Sequence, residues 1–124
     1  MLALSPLFGL FSWLFQQDPA FRRVTNQEFQ QAMAETVLLL DVRTPAEYAA
    51  GHLPGAVLLD FQAPGFAEAL AGLDRKVHTL VYCRSGKRSL AAMEMMREAG
   101  WLRVTELKNG IVGWQEAGLG VVAD

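Results

Sequence analysis

From Phe21 onward, short apolar runs alternate with stretches of helical spacing. Residues 37–42 (VLLLDV) and 79–83 (TLVYC) are nearly continuous apolar runs, the pattern of strands buried on both faces. Residues 56–59 and 104–107 read as shorter strands. Between them, Thr25-Asn26-Gln27-Glu28 is a capping-box sequence that opens a helix, with Phe29 and Met33 spaced to face a core. Thr44-Pro45-Ala46-Glu47 is a second one, with Pro45 at the first helical position and Gly51 placed to end a short helix. Further helices are expected near residues 66–73, from about Lys87 to Ala99 ahead of Gly100, and over residues 111–117 ahead of Gly118. Strands that alternate with helices predict right-handed crossovers and a mostly parallel sheet covered on both sides.

Residues 1–17 break this pattern. They carry no charged side chain, and the apolar run from Leu2 to Phe15 spans 14 residues. A helix needs roughly 20 to cross a bilayer, and Pro6 and Gly9 interrupt this one. A signal peptide would need a basic start and a small-residue cleavage site, whereas Gln16, Gln17, Asp18 and Pro19 follow the run. The expected organisation is an apolar arm over residues 1–20 and one domain over residues 21–124. The arm would pack on its own domain, on a second copy as a homodimer, or on a membrane surface through residues 2–15. The expected compartment is the cytoplasm, with membrane association and a signal peptide left open.

Composition narrows the chemistry. The chain has 124 residues, enough for one core, with 52% hydrophobic and 19% charged residues. A net charge of −2 gives no general affinity for nucleic acid or anionic membrane. The single cysteine rules out an intramolecular disulfide and a zinc site of several thiolates. No metal or cofactor is expected.

That cysteine, Cys83, falls at the carboxyl end of a predicted strand, where α/β sheets gather their active sites. Arg84, Ser85, Gly86, Lys87, Arg88 and Ser89 follow and run directly into a helix. Backbone N–H groups at a helix start point at an anion, and Gly86 permits the turn that lines them up. The loop also holds three of the chain's eleven Lys and Arg, on an otherwise acidic protein. Such surroundings lower a cysteine pKa and point to an anionic substrate or intermediate. A lone cysteine is also at home as a small buried hydrophobe, and strand–loop–helix junctions bind phosphate without covalent chemistry. Loop physics alone leaves these readings open.

Outside the loop, Asp41 and Arg43 sit at the end of a central strand, either positioning the site or forming a buried pair that fixes the turn. Glu47 is read as the reciprocal member of its capping box, His52 as a structural donor and His78 as solvated. Met93, Met95, Met96 and Trp114 are expected in the core.

Cys83-Arg84-Ser85-Gly86-Lys87-Arg88-Ser89 resembles the active loop of rhodanese domains. Leu40-Asp41-Val42-Arg43-Thr44-Pro45-Ala46-Glu47-Tyr48, followed by Gly51-His52-Leu53-Pro54-Gly55-Ala56, resembles that family's first signature. Asn109-Gly110-Ile111-Val112-Gly113-Trp114 is similar to its C-terminal pattern, where Gly usually stands in place of Asn109. Asn tolerates left-handed angles, so this departure is expected to be harmless.

The resemblance implies a three-layer α/β/α fold with a central, mostly parallel five-stranded sheet. It also implies sulfur transfer from thiosulfate or a persulfide or polysulfide donor to a thiol or cyanide acceptor. The Cys83 thiolate would become a persulfide held by backbone N–H groups of residues 84–88, without a general base. Arg84, Lys87 and Arg88 would attract the anionic donor. Related phosphatases and arsenate reductases have a seven-residue loop, whereas the span from Cys83 to Arg88 is six residues. Those enzymes, and a non-catalytic sulfur-carrier or binding module, are the alternatives.

Overall fold

The computed structural model describes residues 18–35 and 37–123. Ten elements follow one another: β1 (Phe21–Val24), α1 (Asn26–Met33), β2 (Leu38–Asp41), α2 (Pro45–Ala50), β3 (Val57–Leu58), α3 (Phe66–Ala71), β4 (Thr79–Tyr82), α4 (Lys87–Glu98), β5 (Val104–Leu107) and α5 (Gly110–Glu116). Every helix and strand read from the pattern is present, with ends that agree to within two residues. The pattern did not reveal β1. Its sequence, Phe-Arg-Arg-Val, has too few apolar positions to read as a strand, because it lies at the sheet edge, where charged side chains reach solvent.

The five strands lie in the order β1-β5-β4-β2-β3, and every neighbouring pair is parallel. Strand alternation sorts the buried residues onto two faces. Leu40, Val81, Cys83 and Val104 pack with Phe66 and Leu70 of α3 and Ala92, Met93 and Met96 of α4. Leu39, Leu80, Tyr82 and Leu107 pack with Phe29 of α1 and Ile111 and Trp114 of α5 on the other face. The expected three layers are there, and each fully buried large side chain contributes about 1.5–3 kcal/mol. Met93, Met96 and Trp114 are core residues as expected, whereas Met95 packs half-buried against the same core.

Both helices that begin with a Thr have it at the N-cap, but only one closes a reciprocal box. Thr44 accepts from the Glu47 N–H while the Glu47 carboxylate accepts from the Thr44 N–H. At α1, Thr25 accepts from the Glu28 N–H, but the Glu28 carboxylate is taken by Arg22. An ion pair across the strand–helix junction replaces the weaker return bond. The solvated reading of His78 is also corrected. Its side chain is only 9% exposed, lies beside Glu35 and pairs with Thr105 at 2.8 Å.

After β2 the chain turns to β3 on one side, and after β4 it turns to β5 on the other. The carboxyl ends of β2 and β4 therefore flank a crevice where strand order reverses, the usual ligand position in such sheets. Of the arm expected over residues 1–20, residues 1–17 lie outside the described residues. Among the described residues, no helix is long and apolar enough to cross a membrane.

Candidate active site

Cys83 follows β4 directly, and the strand's alternation turns its side chain toward α4, where it is 1% exposed. The loop then curls back over the sulfur. Gly86 adopts φ +102 and serves as the N-cap of α4, yet no side chain caps that helix. The Cys83 sulfur takes the capping role, accepting from the Gly86 N–H at 3.1 Å. Burial pushes the Cys83 thiol up, but hydrogen bonds from the Ser89 side chain and from the N–H groups of Ser89, Gly86 and Ser85 outweigh it. The net result is a thiol below its ordinary range.

The loop's carbonyls are engaged on the outside of this curl. The Ile111 N–H donates to the Cys83 carbonyl at 3.0 Å and the Val112 N–H to that of Arg84 at 3.1 Å. These are N-terminal N–H groups of α5, otherwise without intrahelical acceptors. Arg23, from β1, donates to the Gly86 carbonyl at 3.1 Å. With carbonyls held outward, N–H groups are left facing the sulfur, and the cup is built for an anion.

Gly110 makes this close packing possible. It has φ +62, and a Cβ there would lie 2.2 Å from the Arg84 carbonyl oxygen. The left-handed angle of the Asn-Gly pair belongs to Gly110, whereas Asn109 has φ −99. Asn109 is therefore accommodated because its position needs no special backbone angle, not because Asn tolerates one.

The cations divide into two kinds. Arg84 and Lys87 are exposed at the mouth and form no ion pair among the described residues. Arg88 is turned across the crevice onto Glu47 of α2, with two bonds of 2.8 and 3.0 Å. Glu47 therefore does more than close its capping box: the Arg88 hydrogen bonds, aided by Thr44, hold its carboxyl down to about 2. Arg88 is a clamp between the two sides of the crevice, and its charge is largely spent on that carboxylate. Of the three loop cations, Arg88 alone faces a carboxylate among the described residues.

Asp41 and Arg43 form a buried ion pair at 2.6 Å. Asp41 also accepts from the Tyr82 hydroxyl at 2.6 Å, and Arg43 donates to the Gly51 carbonyl at 2.6 Å. None of these bonds reaches the sulfur. The pair steadies Tyr82, the residue before Cys83, so any positioning is indirect. His52 is structural as read, bridging to the Tyr48 carbonyl and stacked on the Tyr48 ring.

Two residues behind the sulfur, reaching it only through Ser89 and the loop, escaped the sequence reading: Glu106 and Arg23. Glu106 is fully buried in β5, accepts from Ser89 at 2.5 Å, and forms an ion pair with Arg23 at 2.6 Å. Ser89 in turn lies 3.3 Å from the Cys83 sulfur. A signal for Glu106 was available. A carboxylate inside a four-residue strand covered on both faces must have a buried partner.

A buried cysteine seated in a backbone cup at a switch point of a parallel sheet defines an α/β protein with its thiol at the usual ligand position of such sheets. The sequence model of the rhodanese-like domain matches residues 25–117, and the chain belongs to that family. It is 38% identical over 102 residues to a sulfurtransferase of Allochromatium vinosum, covering 81% of this chain and 94% of that protein. It is 30% identical to the thiosulfate sulfurtransferase GlpE of Pseudomonas entomophila, covering 77% of this chain and 85% of that one. Among solved structures, a rhodanese-related protein from Thermoplasma volcanium superposes with a TM-score of 0.75 at 27% identity, covering 84% of this chain and all of that one.

Proposed function

We propose that the protein moves a sulfane sulfur from thiosulfate, or from a persulfide or polysulfide, to a thiol or cyanide acceptor through a persulfide on Cys83. The observation that carries this reading is the capping role of the sulfur. The N–H groups of Ser85, Gly86 and Ser89 converge on it, and a cup fitted to one sulfur atom also suits the outer sulfur of a persulfide.

In the first half-reaction the Cys83 thiolate attacks the sulfane sulfur of thiosulfate. The new S–S bond forms as the old one breaks, and sulfite leaves with its electron pair. In the second half-reaction an acceptor nucleophile takes the outer sulfur, and the electron pair of the broken bond returns to Cys83. No net oxidation occurs, and no further cofactor enters. Arg84 and Lys87 at the mouth offer positive charge to a dianionic donor.

Phosphate chemistry on this cup is disfavoured by the short loop and by Arg88. An arginine committed to Glu47 on both nitrogens is not free to grip the oxygens of a phosphate.

Mass spectrometry after exposure to thiosulfate or polysulfide tests the proposal. The expected result is a gain of one sulfur atom on Cys83, removed by cyanide or dithiothreitol. Cys83→Ser should keep the fold and lose turnover to below a tenth of the parent activity. Hydrolysis of para-nitrophenyl phosphate should be negligible. Absence of the adduct with both donors, or robust phosphatase activity, overturns the reading.

A further inference from the structure

Ser89 has one hydroxyl proton and two neighbours that compete for it. On one side is the Cys83 sulfur at 3.3 Å, and on the other is the Glu106 carboxylate at 2.5 Å. All three side chains belong to buried residues. We propose that Ser89 and Glu106, with Arg23, form a proton relay for Cys83, in which the Ser89 hydroxyl proton is shared between the sulfur and the carboxylate. Glu106 is the positioning residue at its far end, and the proposal rests on Cys83 being the sulfur carrier.

Sheet register builds this chain. Arg23 of β1 is aligned with Glu106 of β5, and Glu106 with Val81 of β4, two residues before Cys83. Alternation then turns Glu106 and Cys83 to the same side of the sheet, under the first turn of α4 that carries Ser89. Arg23 donates through Nε to Glu106 and through a terminal nitrogen to the Gly86 carbonyl. One arginine thus fixes both the carboxylate and the loop.

When Cys83 is a thiol, its S–H donates to the Ser89 oxygen, and the Ser89 O–H donates to the carboxylate. Moving both protons one step leaves Cys83 as thiolate, accepting from Ser89, and Glu106 as a neutral carboxyl. No atom leaves the site and total charge is unchanged. When a thiol acceptor removes the outer sulfur, Cys83 receives the electron pair, and the same two protons can move back. While Glu106 is ionised it claims the only hydroxyl proton and places a second negative charge behind the thiolate. That charge opposes the thiolate, against the N–H groups of the cup that favour it.

Other charged groups surround the site. Asp41 and Arg43 after β2 are paired with each other, as are Glu47 of α2 and Arg88 of α4. Arg84 and Lys87 are exposed at the mouth. None of them shares a hydrogen bond with Ser89 among the described residues.

The pH dependence of Cys83 alkylation by iodoacetamide tests the relay without requiring turnover. Glu106→Gln is expected to move the rising limb to lower pH by on the order of one unit, chiefly because the weaker amide acceptor releases the Ser89 hydroxyl proton to the sulfur. In a Ser89→Ala background the same substitution should move it by less than half as much, because the shared proton is gone. An unmoved limb in E106Q, or an undiminished shift without Ser89, overturns the proposal.

Should E106Q not fold, 13C NMR of the Glu106 carboxyl in the parent protein decides. The resonance should shift in step with Cys83 ionisation, and a flat one overturns the relay. Persulfide formation with no coupling would sink the relay alone, whereas coupling with no persulfide would sink sulfur transfer alone.

Discussion

At Gly86 the backbone conformation and the chemistry depend on the same atoms. Its φ of +102 is one that side chains rarely adopt, and a Cβ there would lie 2.2 Å from the Lys108 carbonyl oxygen and 2.8 Å from an Arg23 nitrogen. Its N–H is the donor that meets the Cys83 sulfur. Gly86→Ala must therefore push the loop away from β5 or break the cup. The strain alone costs about 1–3 kcal/mol, and the backbone clash adds to it. Urea unfolding should show the loss of stability, and the Cys83 pKa read by alkylation should rise as the donor is displaced. Gly86 was singled out from the sequence because a glycine before a helix permits such a turn. Gly110 was quoted only as part of a motif, because its need for a bare Cα arises from a carbonyl 26 positions earlier in the chain.

Among the elements, α2 and α4 start at the ends of neighbouring strands and meet through Glu47 and Arg88. The contact is bidentate and both side chains are mostly covered, so it is worth more than an ordinary surface pair. Its pH dependence follows from the direction of the shift. The Glu47 carboxyl is depressed from 4.5 to about 2 in the folded protein. The stabilisation it provides is therefore present above pH 4.5 and is lost as pH falls toward about 2. Allowing for solvent screening, that amounts to on the order of 1–2 kcal/mol. Glu47→Gln should be less stable than the parent at pH 7, and the gap should close as the pH is lowered toward 2. Urea unfolding at several pH values measures it, and a constant gap would show that the pair does not stabilise the fold. The sequence placed Glu47 in a capping box because that signal is local. Its bond to Arg88 joins positions 41 residues apart and required the two strands to be neighbours.

For the whole molecule, the two cores on either side of the sheet draw, among the described residues, on residues 21–121. We propose that the apolar residues 2–15 meet a second copy of the chain or a membrane surface. A chain that begins at residue 18 is then expected to keep the melting temperature and the Cys83 alkylation rate of the full chain, and to be monomeric. The full chain should self-associate in analytical ultracentrifugation or sediment with lipid vesicles. A full chain that stays monomeric and ignores lipid would end this proposal.

Local information decided the helices, the buried strands and the reactive loop. Capping residues, apolar runs and a glycine beside a cysteine act within a few positions of one another, so order along the chain suffices to read them. Strand β1 stayed hidden because an edge strand obeys its partner more than its own composition. The surroundings of Cys83 were also beyond local reading. Sequence placed three cations near the sulfur, but the fold gave Arg88 to Glu47 and supplied a buried Ser89–Glu106–Arg23 chain. Those partners lie between 17 and 83 residues apart in the chain. They meet because parallel register lines up β1, β5 and β4, and a buried carboxylate is tolerated only where that register brings it an arginine and a hydroxyl.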